Sequence, residues 1–141
     1  GVVVDYAHTP DSLEAVYKNL KKDSQKLICV LGAAGGGRDK WKRPEFGRIA
    51  DEYCDEIILT DEDPYEEDPE KIIGDVALGI KSKNKIIKIL DRKEAVRTAI
   101  NRAGQGDVVV ITGKGSEISM AIAEGKKIPW SDKQIVQDFL K

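Results

Sequence analysis

Arg38 is the cation best placed for chemistry in this 141-residue sequence. It follows four glycines in "CVLGAAGGGRDKWKRPEF", residues 29–46, where an apolar run stops in a loop and cationic residues lead into a helical pattern. A guanidinium takes a carboxylate or a phosphate through two parallel hydrogen bonds, and a glycine-lined loop leaves room for the ligand to approach. Two nucleotide patterns fail here. The spacing from Gly32 reaches Gly37, but Arg38 and Asp39 stand where a P-loop needs lysine and then serine or threonine, and "GAAGGG" is not G-x-G-x-x-G. Without Arg38, a tight strand-to-helix turn that needs positive φ would explain the glycines as well as an anion site does. Arg38 tips the reading toward an anion.

Three other groups carry chemistry. His8 is the sole histidine, and a lone histidine is more often a hydrogen-bonded structural residue than a catalyst; no serine or cysteine pairs with it as a nucleophile, so no catalytic residue is assigned. Asp5 ends an apolar run, where an acid serves as a turn residue or accepts hydrogen bonds from ribose hydroxyls. "TDEDPYEEDP", residues 60–69, holds acids at 61, 62, 63, 66, 67 and 68. Such a loop is by default solvated and caps the next helix, where Pro69 and Glu70 suit the first turn; its functional reading is a site for an ammonium group, since no EF-hand spacing is present. In "GKGSE", Gly113 and Gly115 can bring the chain over a sheet edge, and Glu117 adds an acid.

These loops need a scaffold, and the hydrophobic pattern supplies one. Short β-branched runs at 1–5, 26–31, 56–60, 85–90 and 107–112 read as strands buried on both faces. Between them, apolar residues recur at helical spacing: Leu13, Val16, Tyr17 and Leu20; Phe46, Ile49, Ala50 and Tyr53; Ile72, Ile73, Val76, Ala77 and Ile80; Ala95, Val96, Ala99, Ile100 and Ala103; Ile135, Val136, Phe139 and Leu140. Thr9 before Pro10 reads as an N-cap, and Asp91 with Glu94 and Ser131 with Gln134 read as capping boxes. Residues 118–130 suggest a hairpin around "EGKK". The alternation predicts an α/β fold, a doubly wound, mostly parallel sheet with helices on both faces, in which ligands collect beyond the carboxyl ends of the strands. All four loaded loops follow such ends.

The bulk composition narrows the partners. Residues 1–141 have the length of one domain. With 23 Lys and Arg against 25 Asp and Glu, the net charge of −2 offers no basic field for nucleic acid. No apolar run approaches the roughly 20 residues that span a bilayer, so no membrane partner is expected, and two cysteines without a framework or metal spacing fit a reducing cytoplasm. The start at Gly1, directly into an apolar run, suggests a segment of a longer chain.

Together and in order, "VDYAHTPDSLE" (4–14), "GAAGGGRDKWKRPEFGRIADEY" (32–53), "TDEDPYEEDP" (60–69) and "GKGSE" (113–117) resemble the C-terminal domain of Mur ligases, closest to the branch that adds the third peptide residue of a peptidoglycan precursor. The likeness covers essentially the whole chain. It implies an ATP-dependent ligase that phosphorylates a carboxylate of UDP-N-acetylmuramoyl-dipeptide, after which an incoming amine attacks the acyl phosphate and leaves an amide, ADP and phosphate. The resemblance places the P-loop, the Mg ligands and a carbamylated lysine in a central domain outside these residues, so the fragment alone is not expected to catalyse. By position it implies that Asp5 contacts the ATP ribose with His8 beside the same cleft, that Arg38 grips the carboxylate of the incoming amino acid, and that Gly113 and Glu117 receive its distal amino end.

Two departures stand out. Where diaminopimelate-adding members have "DNPR", this sequence has Asp63, Pro64 and Tyr65 after Glu62. With Asp63 and Tyr65 at the acceptor site in place of the asparagine and arginine, a diamino acid without a second carboxylate, L-lysine, is expected over meso-diaminopimelate. Ser116 also replaces the usual histidine of "GKGHE". Two competing readings stay open: a stand-alone α/β module that binds a small anion or nucleotide, and a Mur-like ligase with a substrate outside peptidoglycan.

Overall fold

The structure is a computed structural model that describes residues 1–37, 39–115, 117 and 119–140. Five strands form one parallel sheet: β1 (Val2–Asp5), β2 (Leu27–Leu31), β3 (Glu56–Leu59), β4 (Ile86–Lys88) and β5 (Val108–Thr112), in the order β1-β5-β2-β3-β4. Val3 pairs with Val110, Cys29 with Val110 and Ile57, and Ile58 with Ile87. Two short strands, β6 (Ser119–Ala121) and β7 (Lys127–Pro129), pair antiparallel as a separate hairpin. Glu124 and Gly125 both take positive φ in its turn, the backbone that a tight two-residue hairpin requires.

Five helices cover the sheet: α1 (Pro10–Lys21), α2 (Lys42–Tyr53), α3 (Pro69–Ala77), α4 (Arg92–Arg102) and α5 (Asp132–Leu140). Alternating strand residues separate two cores, because successive side chains of a strand point to opposite faces. Leu27, Cys29, Leu31, Ile57 and Leu59 meet Leu13 and Tyr17 of α1, Phe46 and Ile49 of α2 and Val76 of α3. Ile28, Val30, Ile58, Val109 and Ile111 meet Ala95, Val96 and Ala99 of α4 and Val136 of α5. The sheet is thus buried on both sides, and its β-branched runs have no polar face to expose.

The caps follow the residue chemistry, but of the two capping boxes expected at α4 and α5 neither closes: at α5 the Gln134 side chain donates to Asp138. Thr9 and Ser12 form a reciprocal box at α1, each side chain meeting the other's backbone N–H. Asp68 and Asp91 accept from the amides of Glu70 and Lys93, and Ser131 accepts from that of Gln134. Glu94 does not complete the expected box at α4, because it turns to Arg97 one helical turn on. β4 is also shorter than the expected run 85–90: Lys85 closes a 3-10 turn at Lys83–Lys85, and only Ile86–Lys88 pair as strand. No helix among the described residues is long and apolar enough to cross a membrane.

Candidate functional site

The carboxyl ends of β1, β2, β3 and β5 lie on one rim, and a cavity of about 380 Å³ opens there. Ala7, His8 and Thr9 after β1, residues 32–35 after β2, Arg43 and Phe46 of α2, and Glu62 and Tyr65 after β3 line it. The sheet order places these loops side by side although they are far apart in sequence.

The glycine loop is tied to the acidic loop. The Gly35 N–H donates to the Asp63 carbonyl at 2.9 Å, and the Gly37 N–H donates to Glu67 Oε1 at 2.6 Å. A Cβ on Gly35 would lie 2.0 Å from the carbonyl oxygen of Pro64, so only glycine lets the two loops touch. The Gly37 amide, which a phosphate cradle would aim at its ligand, is already occupied by a carboxylate. Arg38 lies outside the described residues, as does Ser116.

A buried cation stands at the centre of each acidic cluster. Arg43, 1% exposed, donates to Glu67 at 2.9 Å, to Asp75 at 3.0 Å and to the Ala34 carbonyl at 3.3 Å. Its hydrogen bond holds the Glu67 carboxyl down to about 2. Lys114, equally buried, donates to both oxygens of Asp63, at 2.8 and 3.0 Å, and to Glu117 at 3.2 Å. Burial opposes the charge of Lys114, but the hydrogen bonds and charges of Asp63 and Glu117 raise its pKa. Asp63 also accepts from the Ala121 N–H at 2.8 Å, which fastens the β6–β7 hairpin to the rim. Asp63 and Glu117 are therefore brought together on one lysine.

Glu62 differs from its neighbours. It is 8% exposed, faces the cavity, and has no hydrogen-bond donor on its carboxylate among the described residues. Its side chain packs over two glycines: a Cβ on Gly32 would lie 2.9 Å from the Glu62 Cβ, and one on Gly113 would lie 1.8 Å from its Oε1. Gly113 has φ +104, so both its backbone and its missing side chain make way for Glu62. Burial pushes Glu62 up to about 7; the charges of Arg92 and Lys114 hold it down, and those of Asp63 and Asp132 push it further up.

The nucleotide candidates stand at the β1 end. Asp5 Oδ1 accepts from the Ala7 N–H at 2.8 Å, and the Asp5 carbonyl accepts from the Gly113 N–H at 3.2 Å, which seats Gly113 against β1. His8 Nδ1 lies 3.1 Å from the Tyr6 carbonyl oxygen, with its ring tilted against the Tyr6 ring at 4.6 Å. Tyr65, with positive φ, stands at the mouth beside Gly36. Among the described residues, no group of three or more His, Cys, Asp or Glu side chains could hold a metal ion.

Sequence reasoning missed Glu62 as a distinct group, and missed Lys114, Arg43 and Arg92 altogether. For the two arginines a signal existed: Arg43 precedes Phe46 and Ala50, and Arg92 precedes Ala95, Val96 and Ala99, at the spacing of the apolar stripe of each helix. A cation on that stripe must be buried, and a buried cation needs partners.

The family described as "Mur ligase, glutamate ligase domain" matches residues 1–115. The chain is 49% identical over 140 residues to UDP-N-acetylmuramoyl-L-alanyl-D-glutamate--2,6-diaminopimelate ligase of Aquifex aeolicus, covering 99% of this chain and 29% of that one. It is 45% identical to the Coxiella burnetii protein of the same name, over 93% of this chain and 27% of that one. A solved structure under this name superposes with a TM-score of 0.91 at 40% identity, covering 99% of this chain and 28% of the other. The chain thus spans less than a third of the length of these relatives. Their names carry 2,6-diaminopimelate, which overturns the expected preference for L-lysine. That preference rested on Tyr65 in place of an arginine and on the acids at 61 to 63, and its physical weakness is that Asp63 is neutralised by the buried Lys114, so the loop carries less bare negative charge than its sequence shows.

Proposed function

The chain belongs to the Mur ligase family, and on that premise we propose that it is the amino-acid acceptor domain of an ATP-dependent ligase that adds diaminopimelate to UDP-N-acetylmuramoyl-L-alanyl-D-glutamate in the cytoplasm. The observation that carries the proposal is that the matched residues 1–115 include the three loops lining the cavity, after β1, β2 and β3, together with Gly113 beneath Glu62. In this reading the cavity receives the acceptor. Glu62 offers an unpaired carboxylate to an ammonium group, and Arg38, assigned on the family motif alone, takes a carboxylate. Asp63 and Glu117 act through Lys114, which holds the acidic loop and the "GKGSE" loop at a fixed separation. Tyr65 covers the mouth, and Gly113 keeps the floor open for Glu62.

Asp5 and His8 form one wall of the ATP cleft, with the phosphates and magnesium held mainly by chain beyond these residues. ATP supplies the phosphoryl group that turns a carboxylate into an acyl phosphate. Attack by the neutral amine forms the C–N bond, breaks the C–O bond to phosphate, and sends one of the two N–H protons out with the leaving phosphate. The contribution of this chain is to orient the amine and to exclude water around it, which raises the rate through positioning.

The test is amide formation and ADP release by the full-length enzyme with UDP-N-acetylmuramoyl-L-alanyl-D-glutamate across a panel of amino acids. Turnover that requires diaminopimelate supports the proposal, and turnover confined to another acceptor or to a non-muramoyl substrate overturns it. Arg38→Ala should raise the KM for the amino acid by at least tenfold and leave the KM for ATP unchanged.

A further inference from the structure

Arg92 is the most completely bonded charged side chain among the described residues, yet it does not line the cavity. Its Nε and Nη2 grip Asp132 at 2.8 and 2.7 Å; its Nη1 donates to the Asp61 carbonyl at 3.0 Å, and Nη2 donates to the Thr112 carbonyl at 3.0 Å. Asp132, also buried, accepts in addition from the Trp130 indole N–H at 2.8 Å. Asp61 and Thr112 are the residues immediately before Glu62 and Gly113. They follow or end β3 and β5, which are not neighbours, since β2 runs between them. β2 is laddered to both strands only as far as Leu59 and Ile111, and no ladder joins β3 to β5 directly; beyond those pairs the arginine fork ties the carbonyls of Asp61 and Thr112 to each other.

We infer that Arg92 is the positioning residue of the acceptor site: by bridging the carbonyls of Asp61 and Thr112 it sets the seat of Glu62 against Gly113. The inference rests on the ligase reading above. The fit at that seat is close, because Glu62 Oε1 occupies the space that a Gly113 side chain would fill. A shift of the β5 end relative to the β3 end would press the carboxylate into the Gly113 backbone or swing it away from the acceptor. The fork also places its charge behind the carboxylate. The charged groups acting on Glu62 are Arg92 and Lys114 on one side of the balance and Asp63 and Asp132 on the other. Lysine at position 92 would keep the charge but could not make both carbonyl bonds and the bidentate pair together.

A purely structural clamp and a positioning clamp differ in what they move. The experiment measures KM for diaminopimelate, KM for ATP, and the pH profile of kcat/KM for the amino acid in the full-length enzyme and its Arg92→Lys, Arg92→Gln and Asp132→Asn variants. For Arg92→Lys we expect a KM for diaminopimelate at least tenfold higher and an unchanged KM for ATP. Arg92→Gln removes a positive charge from behind Glu62 and should move the acid limb of the profile to higher pH. Asp132→Asn removes a negative charge and should move it to lower pH, although both variants lower the thermal midpoint. Opposite shifts from two destabilising changes are not produced by loss of structure. Unchanged amino-acid KM and coincident acid limbs would overturn the positioning role while leaving the ligase reading intact. A wild type that joins no diamino acid to the muramoyl dipeptide overturns the ligase reading and this role with it.

Discussion

Arg43 and Arg92 solve the same problem on opposite faces of the sheet and reach different ends. Each lies in the first turn of a helix, on its apolar stripe, and each is 1% exposed. Arg92 meets a carboxylate that is itself fully buried, so its network is closed to water. Arg43 meets Glu67 and Asp75, which keep 17% and 25% of their side-chain surface exposed, and its own Nε is buried without a partner. The closed network joins two strand ends, and the open one joins two loops to α3. A clamp between strands can be rigid because nothing needs to pass it, whereas one beside a ligand cavity keeps its acids at the water's edge and stays sensitive to pH.

Substitutions can break this contrast, and the largest effect should come from Arg92→Met. It leaves the buried Asp132 carboxylate without its cation and frees the Asp61 and Thr112 carbonyls, at a cost of about 3–5 kcal/mol in denaturant unfolding at neutral pH. Arg43→Met should cost less, about 2–3 kcal/mol, because water can reach the abandoned carboxylates. The two arginines should also differ in acid. Glu67 is held down at about 2 in the folded state against 4.5 for the free group, so its contribution is present above pH 4.5 and is lost as pH falls toward 2. Arg43→Met should flatten that loss in a thermal titration; an unaltered acid limb would count against the open network.

Glu62 should behave in the reverse sense. Its folded pKa of about 7 exceeds the ordinary 4.5, so the folded state keeps a proton between those values that the unfolded chain has given up, and stability falls as pH rises through this window. Glu62→Gln should remove the fall. The variant should match wild type near pH 4 and be more stable at pH 8 by on the order of 1–3 kcal/mol, while weakening use of the acceptor. The smallest effect is expected at Arg48, which pairs with Glu45 on the exposed face of α2; Arg48→Ala should leave the unfolding midpoint unchanged within error.

The fold was legible because it rests on periodicity. Strand runs such as 26–31 and 107–112 are apolar on both faces, as only the interior of a parallel sheet demands, and Thr9 and Pro10 mark a helix start by local chemistry alone. The hairpin around "EGKK" was legible for the same local reason. The site was legible as a set of loops, not as a wiring pattern. Which acid in "TDEDPYEEDP" stays unpaired depends on Lys114, some fifty residues away, and on Arg43 across the loop. Six carboxylates in one ten-residue loop look alike until the fold brings two cations among them, and an expectation built on the acids at 61 to 63 could not see that Asp63 is paired. Glu94 shows the same limit at short range, because a capping glutamate and an i,i+3 partner of Arg97 have the same spacing pattern.

The strand order carries a consequence for how the chain acquires this shape. Among the described residues β1 has one strand neighbour, β5, whose residues are made more than a hundred positions later, and β5 then inserts between β1 and β2. Until Val108 to Thr112 arrive, Val2 to Val4 have no ladder and one edge of β2 stays open. The sheet therefore closes from its middle, and last. Such long-range pairing slows folding and leaves apolar strand edges exposed to other chains in the interval. The same strand ends in Thr112, whose carbonyl accepts from the Arg92 fork. Seating β5 therefore fills the gap between β1 and β2, leaves β1 and β4 as the two edges of the sheet, and brings Gly113 beneath Glu62 in the same step.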